Sequence, residues 1–461
     1  MGFADAYLLK AGLREPLVTT VPDPGLKIIV TIPVHNESGL KQCLDSLFQN
    51  SGGSPGAESA TRVMGATGVS GSTGVADPSL GTPCALPFRA EVLILINAPA
   101  DDPRSVHARN LRTLESARHW ISSHPHPSLS FHIWLDHGFG KKEAGVGMAR
   151  KVLMDEAVRR FSAIGRKDGI IASLDADVMV DPGYLETLVS HFEGSGDEGC
   201  SVYFEHPLSP EEDPFGPFDD AVYEAISGYE LHLRYYLNAV RSTGYPHAFH
   251  TVGSAFVVRA DVYCKEGGMN RRQGGEDFYF IQKVARRGRW SECNATRVLA
   301  SPRPSDRVPF GTGPVVGRFL KDGKQQATYH PEPFGMLAGL FSGIGDLYHG
   351  ETAAGILQGL PAVLSDFLEA QDFSSALEEI RQNCASPEAF TRRFWAWFNM
   401  FRIMKFLHHA RERGYADMEV SSAATLWLEH SGRLPERSPA GTISPAALLM
   451  KFREMDRFPE T

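Results

Sequence analysis

The chain has 461 residues, enough for one large domain with an appendage or for two to three domains. It is 42% hydrophobic and 22% charged, as globular proteins are, and its formal charge of -9 argues against a nucleic-acid partner held through phosphates. Six cysteines (Cys43, Cys84, Cys200, Cys264, Cys293 and Cys384) show no C-x-x-C pair or zinc-like spacing.

They read as reduced thiols of a cytoplasmic protein. The opening stretch MGFADAYLLKAGLREP lacks the basic start and apolar run of a secretory signal, and Ala6 stands where a myristoylation pattern needs Ser or Thr. No stretch reaches the roughly 18 apolar residues of a membrane span. The nearest approach, Gly335 to Leu368, is broken by Asp346, His349, Glu351 and Gln358. A cytosolic location is expected, with room for peripheral contact at a membrane.

Beyond a short arm over 1–25, Leu26 to Pro33 (LKIIVTIP) is a β-branched apolar run that predicts a buried parallel strand. From Ser38, a candidate N-cap, Leu40, Cys43, Leu44, Leu47 and Phe48 follow at helical spacing. Ser51 to Pro87 is dominated by Gly, Ser, Ala, Thr and Pro and reads as a mobile insertion. Strands are then expected at Glu91 to Asn97, Phe131 to Leu135 and Gly169 to Leu174, with a helix over Gly147 to Phe161. This alternation predicts an α/β domain with a mostly parallel sheet that binds ligands at the carboxyl ends of its strands. After about residue 315, Glu378 to His409 and Ala416 to Glu429 have helical periodicity. Their aromatic residues Trp395, Trp397, Phe398, Phe401 and Phe406 are expected to be core.

Two pairs of carboxylates carry the chemistry. Asp175 and Asp177 follow the strand IIASL, where two acids one residue apart can face a divalent ion and a diphosphate. Glu276 and Asp277 follow Gly274 and Gly275 and open the helix FYFIQKVARRG. There they can complement the helix dipole, or one can take a proton from an attacking hydroxyl.

The ordered set VTIPVHNE, CLDSL, VLILIN, GVGMARKVLMDEA, IIASLDADV, VGSAFVVRADVY and GGEDFYFIQKV resembles the family 2 glycosyltransferases of the GT-A fold, over about Lys27 to Arg287. The resemblance implies a Rossmann-like α/β GT-A domain over 26–315 and a helical C-terminal region over 316–461. It places Pro33, Glu37 and Asn97 at the nucleoside and Gly145, Ala149 and Arg150 on the helix beside the donor. Asp175 and Asp177 would meet the donor and its Mn²⁺ or Mg²⁺, with Asp177 the usual direct ligand. Asp277 would be the base, with Glu276 beside it. The family's acid-rich loop after the second strand is replaced by Asn97-Ala-Pro-Ala-Asp101-Asp102, and Lys151 stands where Asn is commoner. In SPRPSDRVPFGTG, Arg303 and Arg307 suit a diphosphate through forked hydrogen bonds, or pair with Asp306 on the surface. His330 lies where relatives often complete the metal shell, and His247 and His250 read as packed or solvent-bonded.

The resulting expectation is an inverting transferase. Asp277 would deprotonate an acceptor hydroxyl while a divalent metal stabilises the departing nucleoside diphosphate. The donor's sugar and base and the acceptor are not named by these residues. A catalytically silent scaffold and a sugar nucleotidyltransferase are the rivals, although the latter calls for a Gly-rich basic loop where this chain has HNES.

Overall fold

The computed structural model describes residues 2–12, 15–50, 85–140, 145–272, 274–307, 311–324, 326–350, 352–435 and 443–459. The insertion read at Ser51 to Pro87 therefore lies outside the described residues except for 85–87. Two compact units are present.

The first comprises 1–207, 213–216 and 251–301. Its elements begin with α1 (Asp5–Ala11), β1 (Leu26–Val34), α2 (Leu40–Phe48), β2 (Arg89–Pro99), α3 (Arg104–Ser123), β3 (Leu129–Phe139) and α4 (Val146–Ala163). They continue with β4 (Ile170–Ser173), β5 (Val178–Val180), α5 (Tyr184–Gly194) and β6 (Gly199–Glu205). After α6 (Asp220–Arg241), which belongs to the second unit, come β7 (Phe256–Arg259), α7 (Ala260–Lys265), α8 (Glu276–Ala285) and β8 (Trp290–Ala300). The eight strands form one sheet in the order β3-β2-β1-β4-β7-β6-β8-β5. Strands β3, β2, β1 and β4 run parallel, as do β6 and β8, while β7 and β5 are antiparallel to their neighbours. This is the mostly parallel α/β architecture expected from the sequence.

The chemistry of the strands accounts for the order. Ile28, Ile29, Val30 and Ile32 of β1 and Val92, Leu93, Ile94 and Ile96 of β2 are wholly inaccessible, as central strands covered on both faces must be. Helix α4 is buried nearly all round. Met148, Ala149, Leu153, Ala157 and Phe161 supply its apolar surface, while its buried polar residues are each paired. Tyr7 of the N-terminal arm donates to Asp155 Oδ1 at 2.6 Å, Lys151 pairs with Asp155 at 2.8 Å, and Glu156 accepts from the amides of Leu17 and Val18. The arm thus covers the polar side of the helix and satisfies groups that burial would otherwise leave unpaired.

Ser38 is not the cap of α2. Gly39 occupies the N-cap without a side-chain bond, and the carboxylate of Glu37 accepts from the amides of Ser38 and Gly39 at 2.8 and 2.7 Å. The longer side chain reaches amides that the Ser38 hydroxyl does not.

The second unit comprises 208–212, 217–250 and 302–461. Besides α6 it contains α9 (Thr312–Asp322), β9 (Ala327–Thr328), α10 (Glu332–Ser342), α11 (Ile344–His349), α12 (Ala353–Gly359) and α13 (Ala362–Ala370). It ends with α14 (Phe373–Gln382), α15 (Pro387–Trp397), α16 (Met400–Glu412), β10 (Met418–Glu419), α17 (Val420–His430) and α18 (Pro445–Arg457). The periodic stretch Glu378 to His409 is three helices because side-chain caps interrupt it. Ser386, followed by Pro387, accepts from Ala389 N, and Asn399 accepts from Arg402 N. Trp395, Phe398 and Phe406 are buried, as expected for core, whereas Trp397 and Phe401 are half-buried. Long helix α6 and terminal helix α18 are joined by an ionic network in which Arg234 binds Glu230 and Asp456, and Arg453 binds Glu230. Among the described residues no helix is long and apolar enough to cross a membrane, and five cysteines are free thiols.

Candidate active site

The carboxyl end of β4 and the amino end of α8 meet around one side chain. Arg150 on α4 is only 2% exposed, and each edge of its guanidinium is engaged. Nε donates to Ser173 Oγ at 2.9 Å, Nη2 donates to Asp175 Oδ1 at 2.6 Å, and Nη1 donates to Glu276 Oε1. Ser173 Oγ donates its hydrogen bond to Gly253 O at 2.8 Å, which fixes the hydroxyl as an acceptor for Arg150. Burial disfavours the guanidinium charge, but Asp175, Glu276 and Asp277 outweigh it and hold the pKa above its ordinary value.

Two glycines allow this approach. A Cβ on Gly147 would stand 2.1 Å from Arg272 O and 3.1 Å from the Glu276 side chain, so α4 and the segment before α8 touch through bare backbone. A Cβ on Gly253 would stand 2.8 Å from Arg150 Nη2 and 3.0 Å from Asp277 Oδ2. Gly275, with φ of 69°, makes the turn into α8.

Asp277 differs from its neighbours in having no full ion pair with Arg150. Its Oδ1 accepts from Phe278 N at 2.7 Å. Protein atoms crowd it although part of its surface stays accessible. Burial first, then the adjacent Glu276 charge, raises its pKa to about 7, against the opposing pull of Arg150. A carboxylate in that range can both hold and release a proton near neutrality.

Asp175 and Asp177 flank the buried Ala176 at the turn between β4 and β5. Both lie near enough to the Cys43 thiol that, after burial, their charges push its pKa up. Asp175 is committed to Arg150 through one oxygen and is 38% exposed. Among the described residues no three His, Cys, Asp or Glu side chains form a metal cage. Two carboxylates, hard oxygen donors, fit Mg²⁺ or Mn²⁺ held jointly with a substrate's phosphates, since such ions commonly take only one or two protein ligands there.

At the carboxyl ends of β1 to β3 the structure gathers further groups. Pro33 is buried in β1, paired in register with Leu95. Asn97 is 3% exposed, and its carbonyl accepts from His35 Nδ1 at 2.9 Å, while Glu37 Oε1 accepts from two amides of the turn into α2. His35 Nε2 lies 3.6 Å from Asp102 Oδ2, and the rings of His107 and His137 are 4.3 Å apart. Burial, then His107, lowers the pKa of His137. These histidines and Asp102 were not singled out in the sequence. The only signal was position: His35 and Asp102 lie just past the ends of β1 and β2, His137 near the end of β3, and His107 at the start of α3.

Arg303, Arg307 and His330 belong to the second unit. Arg307 Nε donates to Ser305 Oγ at 2.9 Å, and His330 Nδ1 accepts from Glu332 N at 3.3 Å, at the start of α10. His247 packs edge-on against Tyr245, and half-buried His250 contacts Asp456 at 3.1 Å, within the packed or solvent-bonded roles expected of them.

No protein-family model and no curated protein sequence matches the chain. Among solved structures it is similar to S. aureus TarS 1–349 in complex with UDP-GlcNAc, at 13% identity and a TM-score of 0.36, covering 89% of this chain and 93% of that one. It is similar to the mannosyltransferase PcManGT from Pyrobaculum calidifontis in complex with GDP-Man and Mn²⁺, at 14% identity and a TM-score of 0.32, covering 89% and 94%. A third is GalNAc-T7 with UDP, GalNAc and Mn²⁺, at 11% identity and a TM-score of 0.34, covering 86% and 59%. At such scores none of these likenesses decides what this chain does, which has to be read from its own residues.

Proposed function

We propose that the chain is a glycosyltransferase of the GT-A type, resembling family 2, that moves a sugar from a nucleoside-diphosphate donor to a hydroxyl acceptor with inversion. The observation that carries the reading is Asp277, a partly accessible carboxyl with a pKa raised to about 7, set beside an arginine-locked acid cluster at a strand end.

Arg150 holds Asp175 and Glu276 in fixed places and keeps the net charge of the cluster tolerable for an incoming diphosphate. Asp177 with Asp175 would hold Mn²⁺ or Mg²⁺, and when bound the ion would neutralise charge on the leaving diphosphate. Asp277 takes the proton as the acceptor oxygen bonds to the anomeric carbon, and the bond from that carbon to the diphosphate oxygen breaks with its electron pair leaving on the phosphate. Attack opposite the leaving group inverts the centre. Pro33, Asn97 and the histidines beyond β1 to β3 line the strand ends where a nucleoside is expected. Glu37 supports that site by shaping the turn into α2. For Arg303, Arg307 and His330, contacts to a diphosphate and a metal are proposed from the sequence alone. A cytosolic location with peripheral membrane contact remains part of the proposal.

The test is a thermal-shift screen of nucleoside diphosphates with and without Mn²⁺, followed by donor hydrolysis measured on the responsive nucleotide. A metal-dependent rise in melting temperature that Asp177→Asn removes is expected. Absence of any metal-dependent response across the nucleotides would refute the reading and leave the scaffold alternative standing.

A further inference from the structure

Outside the acid cluster, the first unit has a cavity of about 470 Å³ between α2 and α3, a size typical of small-molecule sites. Its floor is apolar and fixed. Leu40, Leu44, Ala117 and Trp120 are buried, and the Trp120 indole is anchored by a 2.7 Å bond from Nε1 to Asp45 Oδ1. Its rim is basic, formed by Lys41, Arg109 and Arg112, with hydroxyls of Ser38, Thr113 and Ser116 among them and no acidic side chain in the lining.

The three cations are not equivalent. Lys41 already pairs with Asp45 at 2.7 Å. Arg109 and Arg112 have no ion-pair or hydrogen-bond partner among the described residues. Three positions apart on α3, they share one helix face, where like charges repel unless an anion lies between them. Two guanidinium forks over a rigid apolar floor recognise a compact anion attached to a carbon frame. A phosphate, with oxygens enough for both forks, meets that requirement better than a single carboxylate.

We propose that this cavity is a second ligand site, taking a phosphate-bearing small organic molecule with its phosphate between Arg109 and Arg112 and its frame on Leu44 and Trp120. None of the acid-cluster residues lines it, so the proposal stands apart from the transferase reading.

The experiment is calorimetric titration of the full chain with glucose 6-phosphate, beside glucose and inorganic phosphate. In parallel, co-sedimentation is measured with phosphatidylcholine vesicles with and without phosphatidic acid. Saturable binding of a phosphate-bearing probe is expected, tighter than of its separate halves. Each of Arg109→Gln and Arg112→Gln should weaken it about tenfold, whereas Asp177→Asn should leave it unchanged. Binding confined to the phosphatidic-acid vesicles, and lost in the arginine variants, assigns the phosphate to a lipid headgroup. No saturable binding of either probe, affinity indifferent to both arginines, or loss in Asp177→Asn would each overturn the proposal.

Discussion

Replacing Asp277 by Asn separates a base from a helix-capping acid. The parent carboxyl has its pKa raised from 3.8 to about 7, which corresponds to at most ~4 kcal/mol against the ionised folded form. Its partial exposure reduces that to about 1–2 kcal/mol. Below pH ~4 the group is neutral in folded and unfolded chains alike, so variant and parent should be nearly equal in stability. Between about pH 4 and 7 the unfolded chain releases its proton while the folded chain keeps it, so the parent loses stability as pH rises. The amide does not titrate. Asp277→Asn should therefore gain in melting temperature relative to the parent as pH rises, reaching its full advantage above about pH 7. If the carboxylate served mainly the helix dipole, the variant would instead lose about 0.3–1 kcal/mol at high pH. Parallel melting curves at acidic and alkaline pH decide the sign. The activity arm should show unchanged donor and metal affinity with transfer reduced on the order of 10²–10⁴. Parental transfer activity would rise with pH through about 7, as the base ionises. A stability difference that does not vary with pH, or parental turnover in the variant, would refute the reasoning and turn attention to Glu276.

Arg150→Met should cost about 3–5 kcal/mol, because it leaves the buried Glu276 carboxylate without its cation; denaturant unfolding checks it, and a loss under 1 kcal/mol would show that the pair is dispensable. Gly147→Ala places a methyl group 2.1 Å from Arg272 O and should lower stability by about 1–3 kcal/mol, with weakened donor binding as α8 shifts. Asp456→Asn removes a buried anion whose pKa is held well below its ordinary value, chiefly by His250, Arg234 and Arg241 against the cost of burial. The parent's advantage over that variant should be full above about pH 4 and shrink as pH falls further, readable in urea melts at both ends of the range.

The order of the strands up to β4, with α2 and α4 between them, was legible in the sequence alone, whereas α1 and α3 were not read there. Apolar runs such as LKIIVTIP and EVLILIN can be buried only as central parallel strands, and their lengths leave little choice. The acids at the end of IIASL were visible because polar residues closing such a run lie at the carboxyl end of its strand, and those before FYFIQKV because they follow two glycines and open a helix. Their connection through Arg150 was not visible. It depends on Ser173, Gly253 and Gly147, residues up to about a hundred positions away that matter only because folding brings α4 under α8. The raised pKa of Asp277 arises first from burial, which no local pattern encodes, and then from the neighbouring Glu276, which the sequence did show. The same holds for Glu37, whose Oε1 accepts from two backbone amides in the turn into α2, a contact no local pattern announces. It holds too for the α6–α18 network, where Glu230 is neutralised by Arg234 on its own helix and by Arg453 far away in sequence. Periodicity reports which face of an element avoids water, because that depends on neighbours along the chain. Which charge meets which depends on packing between elements, and that was decided by the tertiary structure.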